Sequence, residues 1–259
     1  SPISYTYDAN GNIETITQYG KTIRYYYNEL NEVIREDNQV LNKTIAQSYD
    51  SGGNITAKTE YAYTAGILGT PIRSYAYTYD GTWKDKLTNY DGKEITYDQI
   101  GNPITYDGWT YTWEMGKQLA NMSKAGQNLL FKYNDDGIRT EKTVNGVVTR
   151  YHLIGGLVAY QDDGTDRMHF TYDADGQLIS MNLNGQEYYY IFNGQGDVIG
   201  LFDSTGVQVV SYTYDTWGKL VGVAGSLAST VGVKNSYRYR GYRYDTETGL
   251  YYLQSRYYN

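Results

Sequence analysis

Paired carboxylates are the side chains of this sequence best suited by type and spacing to chemistry, because two neighbouring carboxyl groups can divide acid and base work or converge on a hard cation. Asp135-Asp136, Asp162-Asp163 and Asp173 with Asp175 are the pairs in question. Asp173-Ala174-Asp175-Gly176 has the opening spacing of a calcium loop, but the twelve-residue ligand pattern does not continue beyond it. Turn formation is the simpler use of all three, since an aspartate that ends a strand accepts backbone N–H bonds two residues on.

The two histidines, His152 and His169, stand 17 residues apart, which is no local metal motif, and a base at either needs partners that only the fold can bring. Both read as sheet or hairpin residues. The chain has no cysteine, so disulfides, thiolate nucleophiles and thiolate metal sites are excluded together. Gly52-Gly53 and Gly155-Gly156 lack the lysine and hydroxyl residue of a phosphate loop and read as tight turns. Asn42-Lys43-Thr44, Asn54-Ile55-Thr56 and Asn121-Met122-Ser123 match glycosylation sequons, triplets that are common by chance. No catalytic, cofactor-binding or metal-binding residue is assigned, and no cofactor is expected.

The elements that would have to position any such groups are β-strands. Among 259 residues there are 33 Tyr against 4 Phe and 4 Trp, with 29 Gly and only 3 Pro. Rings that keep a polar tip suit a sheet whose hydroxyls reach water or a hydrogen-bond partner. Lys and Arg total 22 and Asp and Glu 29, a net charge of -7. That balance gives no bulk attraction to nucleic acid or anionic membranes, and the sequence shows no local basic run. No apolar stretch approaches the roughly 18 residues of a membrane span, and Ser1-Pro2-Ile3 is no signal peptide.

One motif recurs: Tyr-x-Tyr-Asp, a few small polar residues, Gly, then an aliphatic. Its clearest copies are Tyr5-Thr6-Tyr7-Asp8-Ala9-Asn10-Gly11-Asn12-Ile13 and Phe170-Thr171-Tyr172-Asp173-Ala174-Asp175-Gly176-Gln177-Leu178. Steps of 20 and 22 residues separate Tyr7, Tyr27 and Tyr49, and the same steps separate Tyr172, Phe192 and Tyr214. A period near 20 fits a hairpin of two strands and two turns. Tyr5 and Tyr7 fall on one face of a strand, Asp8 ends it, Gly11 supplies a positive φ and Ile13 restarts the apolar alternation. The fold predicted is all-β: antiparallel β-hairpin repeats forming a curved or spiralling sheet, with little helix. Two stretches break the rhythm. Gly66 to Pro71 reads as an irregular turn, and Val221 to Val233, small and uncharged, reads as an insert that is a short helix around Ser226 to Thr230, a loop or a flexible linker.

From Tyr242 onward the chain reads Tyr-Arg-Tyr-Asp-Thr-Glu-Thr-Gly-Leu-Tyr-Tyr-Leu-Gln-Ser-Arg-Tyr-Tyr-Asn. This run, together with repeats over nearly the whole chain, resembles the hallmark of the YD-repeat, or Rhs, family, which takes in bacterial polymorphic toxins, wall-associated protein, toxin-complex C components and animal teneurins. The resemblance implies a β-sheet that spirals into a hollow shell, with residues 1–236 as repeats and 237–259 as the beginning of the Rhs-associated core segment. It implies a structural wall that encloses or presents a C-terminal toxin or effector, in a secreted or cell-surface bacterial protein. Partners on that reading are the enclosed effector and adjacent shell repeats, with no nucleic acid and no membrane insertion. The family continues past Arg-Tyr-Tyr-Asn into a proline-containing segment and, in many members, a self-cleavage motif; the sequence stops at Asn259, so neither self-cleavage nor toxicity is carried over. The chain therefore reads as a piece of something longer and as no enzyme.

Two expectations follow from the residues themselves. Exposed Tyr and Trp beside Asp and Asn can stack on sugars, so a carbohydrate-binding or adhesion module is the alternative from another functional class. The Tyr-rich run from Tyr237 to Tyr258 alternates aromatic and polar residues, so it is expected to offer an open sheet edge through which copies self-associate.

Overall fold

The computed structural model describes residues 2–258, and among them 56% lie in strands and 4% in helices. The expectation of an all-β protein made of antiparallel hairpin repeats therefore holds. The chain divides after Gly108 into two compact units, a division that composition does not mark.

In the first unit ten strands, from Ser4–Tyr7 to Pro103–Tyr106, each pair antiparallel with the next in sequence. In the second, twelve strands from Trp109–Glu114 to Leu220–Ala224 do the same. Three short strands, Arg243–Asp245, Leu250–Tyr252 and Tyr257–Tyr258, then form a separate sheet.

The Tyr-Asp unit that opens the chain works as the sequence suggests. Asp8 Oδ1 accepts the backbone N–H groups of Asn10 and Asn12 at 2.9 and 2.8 Å, and Gly11 sits at φ 84°. These bonds, with the Asn12 side-chain amide the largest contributor, hold the Asp8 carboxyl below its ordinary range. Asp50, Asp98, Asp173 and Asp215 repeat the arrangement.

The motif tyrosine does something that alternation alone does not reveal. A register shift accompanies it in the ladder, as between Thr6 and Tyr7, where Thr6 faces Thr15 but Tyr7 faces Ile13. Such a bulge leaves the ladder locally short of hydrogen bonds. The tyrosine of a following unit reaches back to this place: the hydroxyls of Tyr27, Tyr49, Tyr133, Tyr172 and Tyr214 donate to the carbonyls of Ile13, Val33, Leu119, Val158 and Val198 at 2.7–2.9 Å. Phenylalanine would fill the same space and leave those carbonyls without this bond, which explains why tyrosine stands at these five positions.

In the second unit one face of the sheet is apolar and covered. Leu119, Met122, Leu129 and Phe131 form one buried cluster, and Val158, Met168, Phe170, Met181, Leu201 and Val210 belong to another. The stretch from Val221 to Val233 is neither a linker nor wholly a loop: its start belongs to the strand Leu220–Ala224, and Ala228–Gly232 forms one turn of π-helix. Pro71 stands outside any strand, between Ile55–Ala62 and Arg73–Tyr79.

The run from Tyr237 to Tyr258 departs from expectation. It does not continue the hairpin sheet as an open edge; it folds back over the covered face, with Tyr251 and Tyr252 buried. Its tyrosines find hydrogen-bond partners within the same unit, which is why the segment packs instead of presenting its edge.

Candidate functional site

The densest polar chemistry lies where this terminal segment meets the sheet of the second unit. Arg139, on the strand Arg139–Val144, makes a two-pronged bond to Asp245, from Nη1 to Oδ2 at 2.7 Å and from Nη2 to Oδ1 at 3.0 Å. Lys142, three residues on, donates to Asp245 at 3.0 Å and to Glu247 at 2.9 Å. The Arg139 and Asp245 side chains are only 1% and 3% exposed, so both charges have left water. Burial alone would raise the Asp245 carboxyl, but the adjacent Arg139 and Lys142 charges outweigh it and hold the group well below the carboxylate range. Lys142 moves the other way: burial opposes its charge, and Asp245, Tyr151 and Glu247 more than compensate.

Two more arginines are buried without a carboxylate against them. The Arg238 guanidinium donates to the carbonyls of Asn235, Gly232 and Val233 and lies over the rings of Tyr212 and Tyr244. Arg243 donates from Nη2 to Gln161 at 2.6 Å and sits 4.6 Å from the ring centre of Tyr151 and 5.1 Å from that of Tyr237, while its Nε and Nη1 have no hydrogen-bond partner among the described residues. Ring faces thus take the place of counter-ions for both guanidiniums.

Hydroxyl-to-hydroxyl bonds complete the seam. Tyr237 meets the motif residue Tyr172 at 2.8 Å, and Tyr257 meets the motif residue Tyr133 at 2.9 Å. The Tyr251 hydroxyl donates to the Gly218 carbonyl at 2.8 Å. Gly218 has φ 89°, and a Cβ there would stand 2.3 Å from the Tyr239 ring, so only glycine allows this approach. A cleft of about 410 Å³ remains between the segment and the sheet rim, lined by Ile138, Leu157, Tyr242, Tyr252 and two of the three buried arginines, Arg139 and Arg243, among others.

A buried lysine between two carboxylates has the composition needed for a spontaneous Lys–Asp amide, in which the amine attacks the carboxyl carbon and water leaves. That step needs a neutral amine and an electrophilic carboxyl. The surroundings work against both, because Arg139 and Lys142 keep Asp245 anionic, and Asp245, Tyr151 and Glu247 keep Lys142 protonated against burial and the neighbouring Arg139 charge. The arrangement is a buried ionic clamp. The intact mass of the purified chain should accordingly equal the sequence mass after prolonged incubation; a species lighter by one water, mapped to Lys142 and Asp245, would contradict this reading.

The carboxylates singled out by spacing do not converge on one site. Asp135 and Asp136 are exposed, while Asp162, Asp163 and Asp173 accept backbone N–H bonds in their own turns. Among the described residues no group of three or more His, Asp and Glu is placed to hold a metal ion. The two histidines, by contrast, are brought together: both pair in register with Tyr160, from the two neighbouring strands, with ring centres 5.3 and 4.5 Å away. Arg139, Lys142, Arg238 and Arg243 were not singled out by sequence reasoning, because a lone basic residue gives no local sign of the carboxylate or ring that the fold will bring against it.

No protein-family model matches the chain. It is 38% identical over 239 residues to the tRNA3(Ser)-specific nuclease WapA of Bacillus spizizenii, covering 90% of this chain and 10% of that protein. It is 26% identical to Teneurin-1 of Gallus gallus, over 83% of this chain and 7% of that protein. The crystal structure of TcdB2-TccC3-Cdc42 superposes with a TM-score of 0.62 at 18% identity, over 99% of this chain and 16% of that one. At that identity the likeness is one of fold. The chain spans about a tenth of the length of the curated relatives it matches.

Proposed function

We propose, since this chain belongs to the YD-repeat (Rhs) family, that it is a structural section of the β wall with which a longer bacterial protein encloses or presents a C-terminal effector. The observation that carries this reading is the seam just described: the polar groups with unusual environments in the second unit are spent on fastening residues 235–258 to the sheet. Arg139, Lys142, Asp245 and Glu247 bond one another, and the terminal tyrosines bond motif tyrosines. A wall has to hold its layers together, and buried ion pairs tolerate no loss of one partner. The wall acts in a secreted or cell-surface setting on this reading. No helix among the described residues is long and apolar enough to cross a membrane.

The experiment separates wall from enzyme. WapA is named for tRNA cleavage, and the proposal assigns that activity to a part of the relative outside the stretch matched here. The purified chain should leave total tRNA full-length, and a longer parent chain should keep the segment that follows these residues resistant to protease until Asp245 is replaced by alanine. Cleavage of tRNA by this chain that disappears on a single substitution would refute the reading, as would a following segment cut equally fast with and without Asp245.

A further inference from the structure

Arg243 is the buried charge that the ionic clamp leaves unanswered. It is 8% exposed, donates one hydrogen bond, from Nη2 to Gln161, and keeps Nε and Nη1 without a partner among the described residues. Ring faces attract its charge but carry no lone pair for the remaining N–H groups. Burial opposes the Arg243 charge, the Tyr237 and Tyr151 rings favour it, and the neighbouring Arg139 charge opposes it again. Arg139 has an unpaired Nε of its own among the described residues. Arg139, Lys142 and Arg243 thus set three positive charges beside two carboxylates, Asp245 and Glu247, and the group is one anion short.

This shortage lies on the wall of a cleft. Arg139 and Arg243 both line the space of about 410 Å³, the exposed Arg256 is a third arginine there, and among the described residues no Asp or Glu lines it. Leu157, Tyr242 and Tyr252 supply apolar and aromatic wall. Small-molecule sites have this build, about 300–1,000 Å³ of largely apolar space with a few fixed polar groups. The two buried arginines differ in freedom. Arg139 is held by a two-pronged bond to Asp245, whereas Arg243 is held by its single bond to Gln161. The unpaired nitrogens of Arg243 are covered by their neighbours, so it presents them to a ligand by turning about that one bond.

We propose that this cleft binds a small carboxylate with an apolar body, alkyl or aryl, whose charged end pairs with Arg243. A monoanion supplies the one missing negative charge, and a dianion such as phosphate overshoots it. The planar carboxylate also matches the planar fork of a guanidinium. Its apolar body takes the wall formed by Leu157, Tyr242 and Tyr252. Arg256 adds a positive field at the exposed part of the lining. The acidic charge of the chain as a whole does not oppose this, because fields from beyond about 10 Å are screened in physiological salt.

Octanoate and naphthoate are the probes, one for each kind of apolar body, with their uncharged amides as controls and inorganic phosphate as the competing anion. Calorimetry on the full chain at neutral pH should show saturable binding of at least one of the two carboxylates, tighter than that of phosphate and absent for the amides. The bound carboxylate should also raise the melting temperature by mass action. Arg243→Met should weaken binding by about tenfold or more, the loss expected when a hydrogen bond to a charged group is removed, with an unchanged far-ultraviolet spectrum showing that the sheet is intact. Arg256→Gln, at an exposed position, should weaken it by about two- to fivefold, the range of an exposed ion pair, and decides the matter if Arg243→Met does not fold. Absence of saturable binding for both carboxylates would overturn the proposal. So would amides bound as tightly as the acids, phosphate bound more tightly than either carboxylate, or binding indifferent to the arginine substitutions.

Discussion

Replacing Asp245 by alanine is expected to destabilise the second unit by about 3–5 kcal/mol, the range for breaking a buried ion pair from one side. Among the described residues Asp245 is the single carboxylate that both Arg139 and Lys142 contact, and Glu247 reaches only Lys142. Its loss leaves the Arg139 guanidinium out of water with no anion beside it. Asp245→Asn should be nearly as damaging, since it keeps the shape and removes the charge. Pairing Asp245→Leu with Arg139→Met should recover most of the loss, because removing both charges costs far less than removing one. Chemical denaturation of the three variants checks this: a single-site loss below about 1 kcal/mol, the range of an exposed pair, would show that the clamp contributes no more than a surface contact.

The second large effect is on alkaline stability. Burial pushes the hydroxyls of Tyr49, Tyr133, Tyr212 and Tyr258 from an ordinary 10.0 up to about 12, and raises those of Tyr172, Tyr190 and Tyr257 as well. A folded-state value above the unfolded one means that the stability is fully present below pH 10.0 and is lost as the pH rises toward about 12. The phenolate absorbance of these buried rings should rise in a cooperative jump that coincides with loss of the β spectrum. Independent titration of all tyrosines near 10, with the spectrum retained, would contradict the burial and bonding described for the motif tyrosines.

Much of the fold was legible because its determinants are local. Tyr5 and Tyr7 at a spacing of two, Asp8 as the turn acceptor and Gly11 at positive φ each follow from a few adjacent residues. The hydroxyl bond from Tyr27 to Ile13 was not legible, because it depends on a bulge in a different strand. The terminal run shows the same limit: the alternation of Tyr237 to Tyr258 correctly predicts strands, but whether they extend a sheet or cover one depends on Arg139, Tyr133 and Tyr172, which lie 65 to 124 residues before their partners. His152 and His169 read as unconnected for a related reason, since the strand that carries Tyr160 lies between them.

Native-state hydrogen exchange over residues 237–258 tests the central claim most directly, that this segment is fastened to the sheet of the second unit as part of one structure. The amides of Tyr244, Gly249 and Leu253, which donate to Ser236, Asp245 and Arg256, should exchange as slowly as those of the strand Gln127–Tyr133 and open with them as denaturant is raised. Exchange of these amides at the rate of exposed loops, while the sheet stays protected, would show that the segment is not fastened and that the wall reading of this chain is wrong.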